Sequence, residues 1–153
     1  MARRKNWAPG NVVEISLEDG SRAYGVVVQD PLMAFTRMTW EARPEVSERL
    51  FEEVAFRVWV MQYAIGKRGW PIVGHIELNE KIEQQPQFFK RDPITGQFYH
   101  YVDCLNDIPV SREECVGLEC AAVWDPEHVE SRLQDEKLGR PNKWAQSLSA
   151  ESR

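Results

Sequence analysis

Residues 10–30, GNVVEISLEDGSRAYGVVVQD, decide the fold because they combine two runs of strand-forming residues with one strong turn. Asp19 and Gly20 separate the runs, and an Asp-Gly pair flanked by β-branched and aromatic residues is a strong hairpin signal. Gly20 can adopt the positive φ that such a turn requires. Gly25, within the second run, suggests a bulge or the close approach of another backbone. The stretch therefore predicts an antiparallel hairpin that begins a curved sheet.

The length and composition of the chain indicate an ordinary globular protein. Its 153 residues are 42% hydrophobic and 28% charged, which is enough for one packed core. We expect a single domain, residues 1–153, with an N-terminal arm at 1–8, a folded body at 9–138 and a C-terminal tail at 139–153. No apolar run approaches the roughly 18 residues of a membrane-spanning helix, and no apolar stretch follows the basic start as in a signal peptide. These features predict a cytoplasmic protein without membrane attachment.

The remaining patterns predict an α+β fold. Runs of apolar and β-branched residues predict strands at residues 12–17, 22–28, 32–39, 54–65, 72–78 and 98–102. Together these strands predict one twisted, mainly antiparallel sheet, arranged as a meander or half-barrel. Asp125 followed by Pro126 favours a helix start, and a helix at 127–137 is expected beside the sheet. Ser111 and Glu114 fit the capping box of a further helix.

Three other stretches have weaker patterns. Residues 41–53 are compatible with a short helix and equally with a loop that contains one helical turn. Residues 79–96 are polar and contain two prolines and two phenylalanines, which predicts a long loop packed by its aromatic rings. Residues 120–124 are apolar and either close the sheet or lie inside a packed helix.

The acidic charge is unevenly distributed along the chain. A net charge of −5 disfavours nucleic acids and anionic membranes as partners, because both attract clustered Lys and Arg. One acidic segment lies between two predicted strands and contains Glu41, Glu45, Glu48, Glu52 and Glu53. A second lies near the C-terminus and contains Glu127, Glu130, Asp135 and Glu136. Such stretches are typical of solvated surface, and they also suit a face that steers toward a basic partner.

The six tryptophans are dispersed along the chain. Trp59 and Trp124 lie in apolar runs and are expected in the core. Trp40 and Trp70 lie next to predicted turns, where partial core packing is the simpler interpretation, although interface hot spots are enriched in Trp. Because loops on a rigid scaffold often mediate recognition, the first acidic segment and its neighbours are the candidate partner-binding site. The candidate residues are Trp40, Glu41, Glu45, Glu48, Glu52, Glu53 and Trp70.

Few residues have the spacing of a catalytic or metal site. Cys104, Cys115, Cys120 and His100 could in principle bind zinc, but they lack the close CxxC pairing of a zinc knuckle, so buried thiols are the simpler interpretation. Cys104 with His100 could act as a nucleophile pair, yet no recognised catalytic motif contains them. We therefore predict no catalytic residue, no metal site and no cofactor.

The hairpin resembles the opening of the bacterial immunity 26 family, in which a Gly-Asp/Asn-x-x-x-Ile-x-Leu strand, a glycine turn and a Tyr-Gly strand begin the fold. Gly10 to Leu17, Gly20 and Tyr24-Gly25 match that pattern. Further segments also resemble the family: FRVWV at 56–60, WPIVG at 70–74 and LECAAVW at 118–124. The similarity spans residues 7–137, nearly the whole chain.

The resemblance implies a protein that binds and neutralises a cognate toxin domain of a bacterial polymorphic toxin system. Occlusion of the toxin would need a complementary surface and no catalytic group. Some relatives have a phosphotriesterase label, which implies a small hydrolase of organophosphate triesters as the alternative function. The sequence shows none of the clustered metal ligands that this chemistry normally uses. It also gives no indication of an oligomeric state.

Overall fold

The computed structural model describes residues 5–103 and 105–152, so Cys104, considered above as a nucleophile or zinc ligand, lies outside the described residues. These residues form two compact units. Unit 1 comprises the described residues up to Gln84 together with Val123–Arg140. Unit 2 comprises Gln85–Ala122 together with the described residues from Pro141 onward. The chain therefore passes from unit 1 to unit 2, returns to unit 1, and ends in unit 2.

The described residues contain strands, helices and short 3₁₀ turns in the following order. The strands are β1 (Asn11–Ser16), β2 (Arg22–Gln29), β3 (Leu32–Thr36), β4 (Val54–Val60), β5 (Ile72–His75), β6 (Phe88–Arg91), β7 (Phe98–His100), β8 (Ile108–Val110), β9 (Glu119–Cys120) and β10 (Val123–Trp124). The helices are α1 (Glu80–Glu83), α2 (Pro126–Leu138) and α3 (Lys143–Leu148). The 3₁₀ turns are Glu48–Phe51, Gln62–Ala64, Glu113–Cys115 and Ala150–Ser152. None of these helices is long and apolar enough to cross a membrane.

Unit 1 is built on a six-stranded sheet with the order β10-β4-β3-β2-β1-β5. All neighbouring strands are antiparallel except β10 and β4, which are parallel. The first hairpin forms as predicted, with Val12 opposite Val26 and Ser16 opposite Arg22. Gly20 in its turn has a φ of 86°, a conformation that favours glycine. Both faces of the sheet are covered, which explains why β2 and β3 are apolar at almost every position.

Helix α2 covers one face of this sheet. The Asp125 side chain accepts the backbone N–H of Glu127 (2.9 Å), and Gly139, with a φ of 66°, ends the helix. Val129 and Leu133 are buried, and the Arg132 guanidinium lies 3.9 Å from the ring centre of Phe56 on β4. The helix therefore packs on the face of the sheet from which Phe56 and its cross-strand partner Phe35 both project.

The same face explains the glycine within β2. A Cβ at Gly25 would lie 2.9 Å from an edge carbon of the Phe35 ring on the neighbouring strand and 3.1 Å from the Met33 methyl group. The sequence suggested that another backbone approaches Gly25, but the group that approaches it is the aromatic side chain of Phe35. A side chain at position 25 would collide with this ring, which explains the glycine.

The opposite face of the sheet is covered by residues 40–53 and by α1. Leu50 and Phe51, in the 3₁₀ turn, are buried, and Val46 packs onto Gly74, where a Cβ would lie 2.7 Å from a Val46 methyl. The guanidinium of Arg57 on β4 donates to the backbone C=O of Ile82 in α1 (3.3 Å). Residues 40–53 are therefore tied to the sheet by their apolar side chains.

Unit 2 contains a four-stranded sheet with the order β8-β7-β6-β9, antiparallel except for the β6–β9 pair. Its core is a cluster of buried side chains from Phe89, Phe98, Cys115, Cys120 and Ala150. Arg112 donates from its guanidinium to the backbone C=O of Ala150 (2.8 Å). Residues 139–153, expected as a tail, thus include helix α3 and a buried alanine.

The predicted α+β class, the antiparallel-rich sheet and the C-terminal helix are confirmed. One detail is wrong, because the predicted strand at 98–102 belongs to the sheet of unit 2, so the structure has two sheets instead of one. Residues 79–96 are not a continuous loop, since they contain α1 and β6. Asn79 caps α1 by accepting the N–H of Ile82 (2.9 Å), a local signal that the polar composition obscures.

The alternatives left open by the sequence are also resolved. Residues 41–53 contain one helical turn of the 3₁₀ type, and residues 120–124 contribute the short strands β9 and β10. The capping-box pattern at Ser111 produces only the 3₁₀ turn at Glu113–Cys115. Val116 has an extended backbone (ψ 129°) and ends this turn, and Gly117 follows it with a φ of 86°.

Candidate protein-binding surface

The acidic segment, defined as residues 40–53, is an exposed strip held at several points. Trp40 exchanges backbone hydrogen bonds with Arg22 at the start of β2 (2.9 Å each). The Ser47 side chain accepts the N–H of Arg49 (3.2 Å) and so begins the 3₁₀ turn. Its glutamates are exposed: Glu41, Glu45, Glu48, Glu52 and Glu53. The backbone of the segment is therefore fixed, while its carboxylates point toward solvent.

The cations around the acidic segment neutralise only part of it. The guanidinium of Arg37 forms salt bridges with the carboxylates of Glu53 (3.8 Å from nitrogen to oxygen) and Glu136 (3.3 Å). Lys81 donates to the backbone C=O of Glu52. Throughout residues 5–103 and 105–152, no salt bridge reaches the carboxylates of Glu41, Glu45 and Glu48. These three charges are available to a partner.

A second feature is the carboxylate of Glu14, on the face of the sheet beneath the segment. The Arg43 guanidinium donates to both of its oxygens (2.7 and 3.2 Å), and the Tyr24 hydroxyl donates to it as well (2.9 Å). The hydrogen bond from Arg43, followed by that from Tyr24, lowers the pKa of Glu14 even though partial burial opposes this. Arg43 is thus occupied by Glu14 and does not reduce the acidity of the exposed strip.

The two candidate tryptophans lie in different places. Trp40 is half-buried, and its ring meets that of Tyr24 edge to face at 5.5 Å between centres. Trp70 is only 4% exposed, and its ring centre lies 5.8 Å from that of Phe35. Its indole N–H donates to the carboxylate of Glu130 on α2 (2.9 Å). The structure therefore brings Trp40 together with the five glutamates but places Trp70 near α2.

Sequence reasoning missed the contact among Glu14, Tyr24 and Arg43. A partial signal existed, because Glu14 is the one acidic residue of β1 and lies directly opposite Tyr24 in the predicted hairpin. The approach of Arg43 depends on how residues 40–53 fold back over the sheet, and no local pattern encodes that.

The other candidate chemical groups lie apart. Among the described residues, no three His, Cys, Asp or Glu side chains are placed to share a metal ion. Cys115 is fully buried, and burial, with a smaller effect of Glu114, raises the pKa of its thiol. The Nε2 atom of His100 lies 3.2 Å from the backbone carbonyl oxygen of Glu114.

Comparisons with known proteins bear on this surface. Neither the curated proteins nor the solved structures gave a match. A family model described as immunity protein 26 matches residues 8–100, which is more than half of the chain. The match contains all of β1 to β7 and the whole acidic segment. This protein belongs to the immunity protein 26 family.

Proposed function

We propose that the protein binds a cognate bacterial toxin in the cytoplasm and neutralises it by occlusion, with the acidic segment in contact with the toxin. The family supports the general role of an immunity protein. The observation that carries the proposal is the set of unneutralised glutamates, chiefly Glu41, Glu45 and Glu48, on a backbone that is anchored to the sheet.

A fixed array of like charges suits association with a basic surface. Rigid flanking structure lowers the ordering cost of binding, and complementary charge accelerates encounter. Toxins that act on nucleic acids have basic clefts, because those clefts must attract phosphates. Trp40, half-buried at the base of the strip, adds an aromatic contact of the kind that is enriched at interfaces.

Charge removal on the acidic segment tests this proposal. We expect Glu45→Gln, Glu48→Gln and Glu52→Gln together to slow association with the cognate toxin domain by roughly threefold to tenfold at low salt. The difference from the native protein should shrink as ionic strength rises, because salt screens exposed charges. Stopped-flow association at two salt concentrations measures both effects.

The matched control removes the same charge elsewhere. Glu77, Glu113 and Glu151 are exposed and lie outside the acidic segment, so their triple change to Gln should leave the association rate near the native value. Equal slowing by both triple variants would mean that only net charge matters. A folded segment variant that associates at the native rate would move the interface away from residues 40–53.

A further inference from the structure

A groove lies between the end of β1 and helix α2 within unit 1. It has a volume of about 530 Å³ and is lined on the strand side by Ser16 and Glu18 and on the helix side by Glu127, Glu130 and Asp135. A second depression of about 690 Å³ shares Ser16, Glu127 and Glu130 with it and extends to Trp70. We call the two together the acidic groove.

The helix wall of the groove follows from the spacing of its residues. Glu127, Glu130, Ser131, Gln134 and Asp135 line the groove and recur at intervals of three and four, so they form one stripe of α2. Because Val129 and Leu133 hold the neighbouring side of the helix against the sheet, this stripe is fixed beside the sheet edge. The wall is therefore acidic and preorganised.

The strand wall of the groove is an open sheet edge. Strand β5 pairs with β1 only from Asn11 to Val13, and the next outward hydrogen bond runs from the N–H of Glu14 to the C=O of Pro71 (3.0 Å). Because outward-pointing backbone groups recur every second residue, the N–H and C=O of Ser16 point to the same side. The Leu17 N–H, by contrast, bonds inward to Ser21 (2.8 Å). Ser16 thus offers a donor and an acceptor where no strand continues the sheet.

The charges of the groove are not balanced. Four carboxylates and one guanidinium, that of Arg140, line its first part. Arg140 is paired with Asp135 (2.8 Å), and Glu130 accepts the Trp70 indole N–H. Within the described part of the chain, Glu18 and Glu127 form no salt bridge. Two carboxylates that face one groove repel each other, and a cation between them would relieve that repulsion.

We propose that the acidic groove receives an extended, basic segment of the toxin, which adds to the open edge of β1 as a strand. Backbone bonds to Ser16 supply affinity, and side chains that alternate along the added strand supply specificity. Lys or Arg at every second position faces the acidic stripe of α2. This inference rests on the proposed function and goes further, because it names the segment of the partner that binds.

A peptide titration tests the groove without the toxin. The probe is a capped nine-residue peptide of alternating Lys and Thr, added to the full-length protein while amide resonances are followed by NMR. We expect the largest shifts at the amides of residues 16–18 and of α2 between Glu127 and Asp135. A peptide with Glu in place of Lys should cause none of them. Shifts confined to residues 40–53, or equal shifts with both peptides, would overturn the proposal.

Variants tested against the cognate toxin domain separate this inference from the proposed function. Ser16→Pro removes the outward N–H but no hydrogen bond to β2, and Ser16→Ala is its control because it keeps the N–H. Glu18→Gln with Glu127→Gln is a second variant that leaves the backbone unchanged. We expect Ser16→Pro and the double variant each to accelerate dissociation about tenfold, and Ser16→Ala to match the native protein.

The outcomes are distinguishable. A complex that forms and dissociates at the native rate in the folded double variant overturns the groove but leaves the proposed function intact. Failure of the native protein to bind the toxin at all overturns both proposals.

Discussion

At the scale of single residues, Tyr24 shows how burial and charge act together. Its ring is fully buried, and its hydroxyl donates to the Glu14 carboxylate at 2.9 Å. Burial, and then the hydrogen bond to Glu14, raises the pKa of Tyr24 to about 12. At a pH between these two values, the folded protein therefore keeps the phenolic proton of Tyr24, whereas the unfolded chain, in which the pKa is about 10, has released it.

The first prediction follows from that difference. Between about pH 10 and pH 12 the folded state holds more protons than the unfolded state, so the free energy of unfolding should fall as pH rises through this range. Tyr24→Phe should abolish this contribution to the pH dependence and lower stability at neutral pH by roughly 1.5 to 3 kcal/mol, the worth of a hydrogen bond to a charged group. Urea unfolding at several pH values measures both, with Tyr99→Phe, at a half-buried tyrosine of β7, as control. A Tyr24→Phe variant with an unchanged alkaline slope would contradict the assignment.

At the scale of secondary-structure elements, helix α2 is the clearest case of local encoding. Asp125 and Pro126 marked its start in the sequence, and the structure places both in those positions, with Gly139 at its end. Asp125 makes a further bond, since its second oxygen accepts the Tyr63 hydroxyl at 2.5 Å. That bond, ahead of the cap itself, lowers the pKa of Asp125.

The second prediction separates these two interactions. Asp125→Ala should lower the free energy of unfolding by about 1 kcal/mol through loss of the helix cap. Tyr63→Phe leaves the cap in place, so it should cost less and should raise the pKa of Asp125. Chemical denaturation measures the stabilities, and NMR titration of the Asp125 side chain follows the pKa. Equal destabilisation by the two variants would assign the effect to the Tyr63 contact instead of the cap.

Elements whose pairing is remote in sequence were harder to predict. The first hairpin was predictable because its turn, spacing and alternation are contained in about twenty residues. The sheet of unit 2 was not, since β6 pairs in parallel with β9, and no local pattern specifies such a pairing. The same holds for the candidate sites. The acidic segment could be found from its composition, but the acidic groove exists only because Glu18 and Glu127, far apart in sequence, line one cavity.

At the scale of the whole molecule, the path of the chain couples the two units. Strand β10 and helix α2 complete unit 1, but they follow Gln85–Ala122 in the sequence. Folding of unit 1 therefore fixes both ends of that segment and lowers the conformational entropy it can gain by unfolding. Unit 2 has roughly 50 residues and a small core, a size at which a single core rarely supplies more than about 3 to 5 kcal/mol of stability. On these grounds we propose that the chain behaves as a single domain.

The last prediction is that both units unfold at one denaturant concentration. Five of the six tryptophans lie in unit 1, so the fluorescence of Trp144→Phe, which removes the sixth, reports on that unit alone. Unit 2 is followed by NMR through the amides of Tyr101 and Ala121, which donate to the backbone C=O groups of Phe88 and Phe89. If unit 2 depends on unit 1 to fix its ends, the two signals should have the same urea midpoint. Loss of the Tyr101 and Ala121 amide signals at a distinctly lower urea concentration would show two domains. Their survival after the tryptophan transition would show that unit 2 is stable alone.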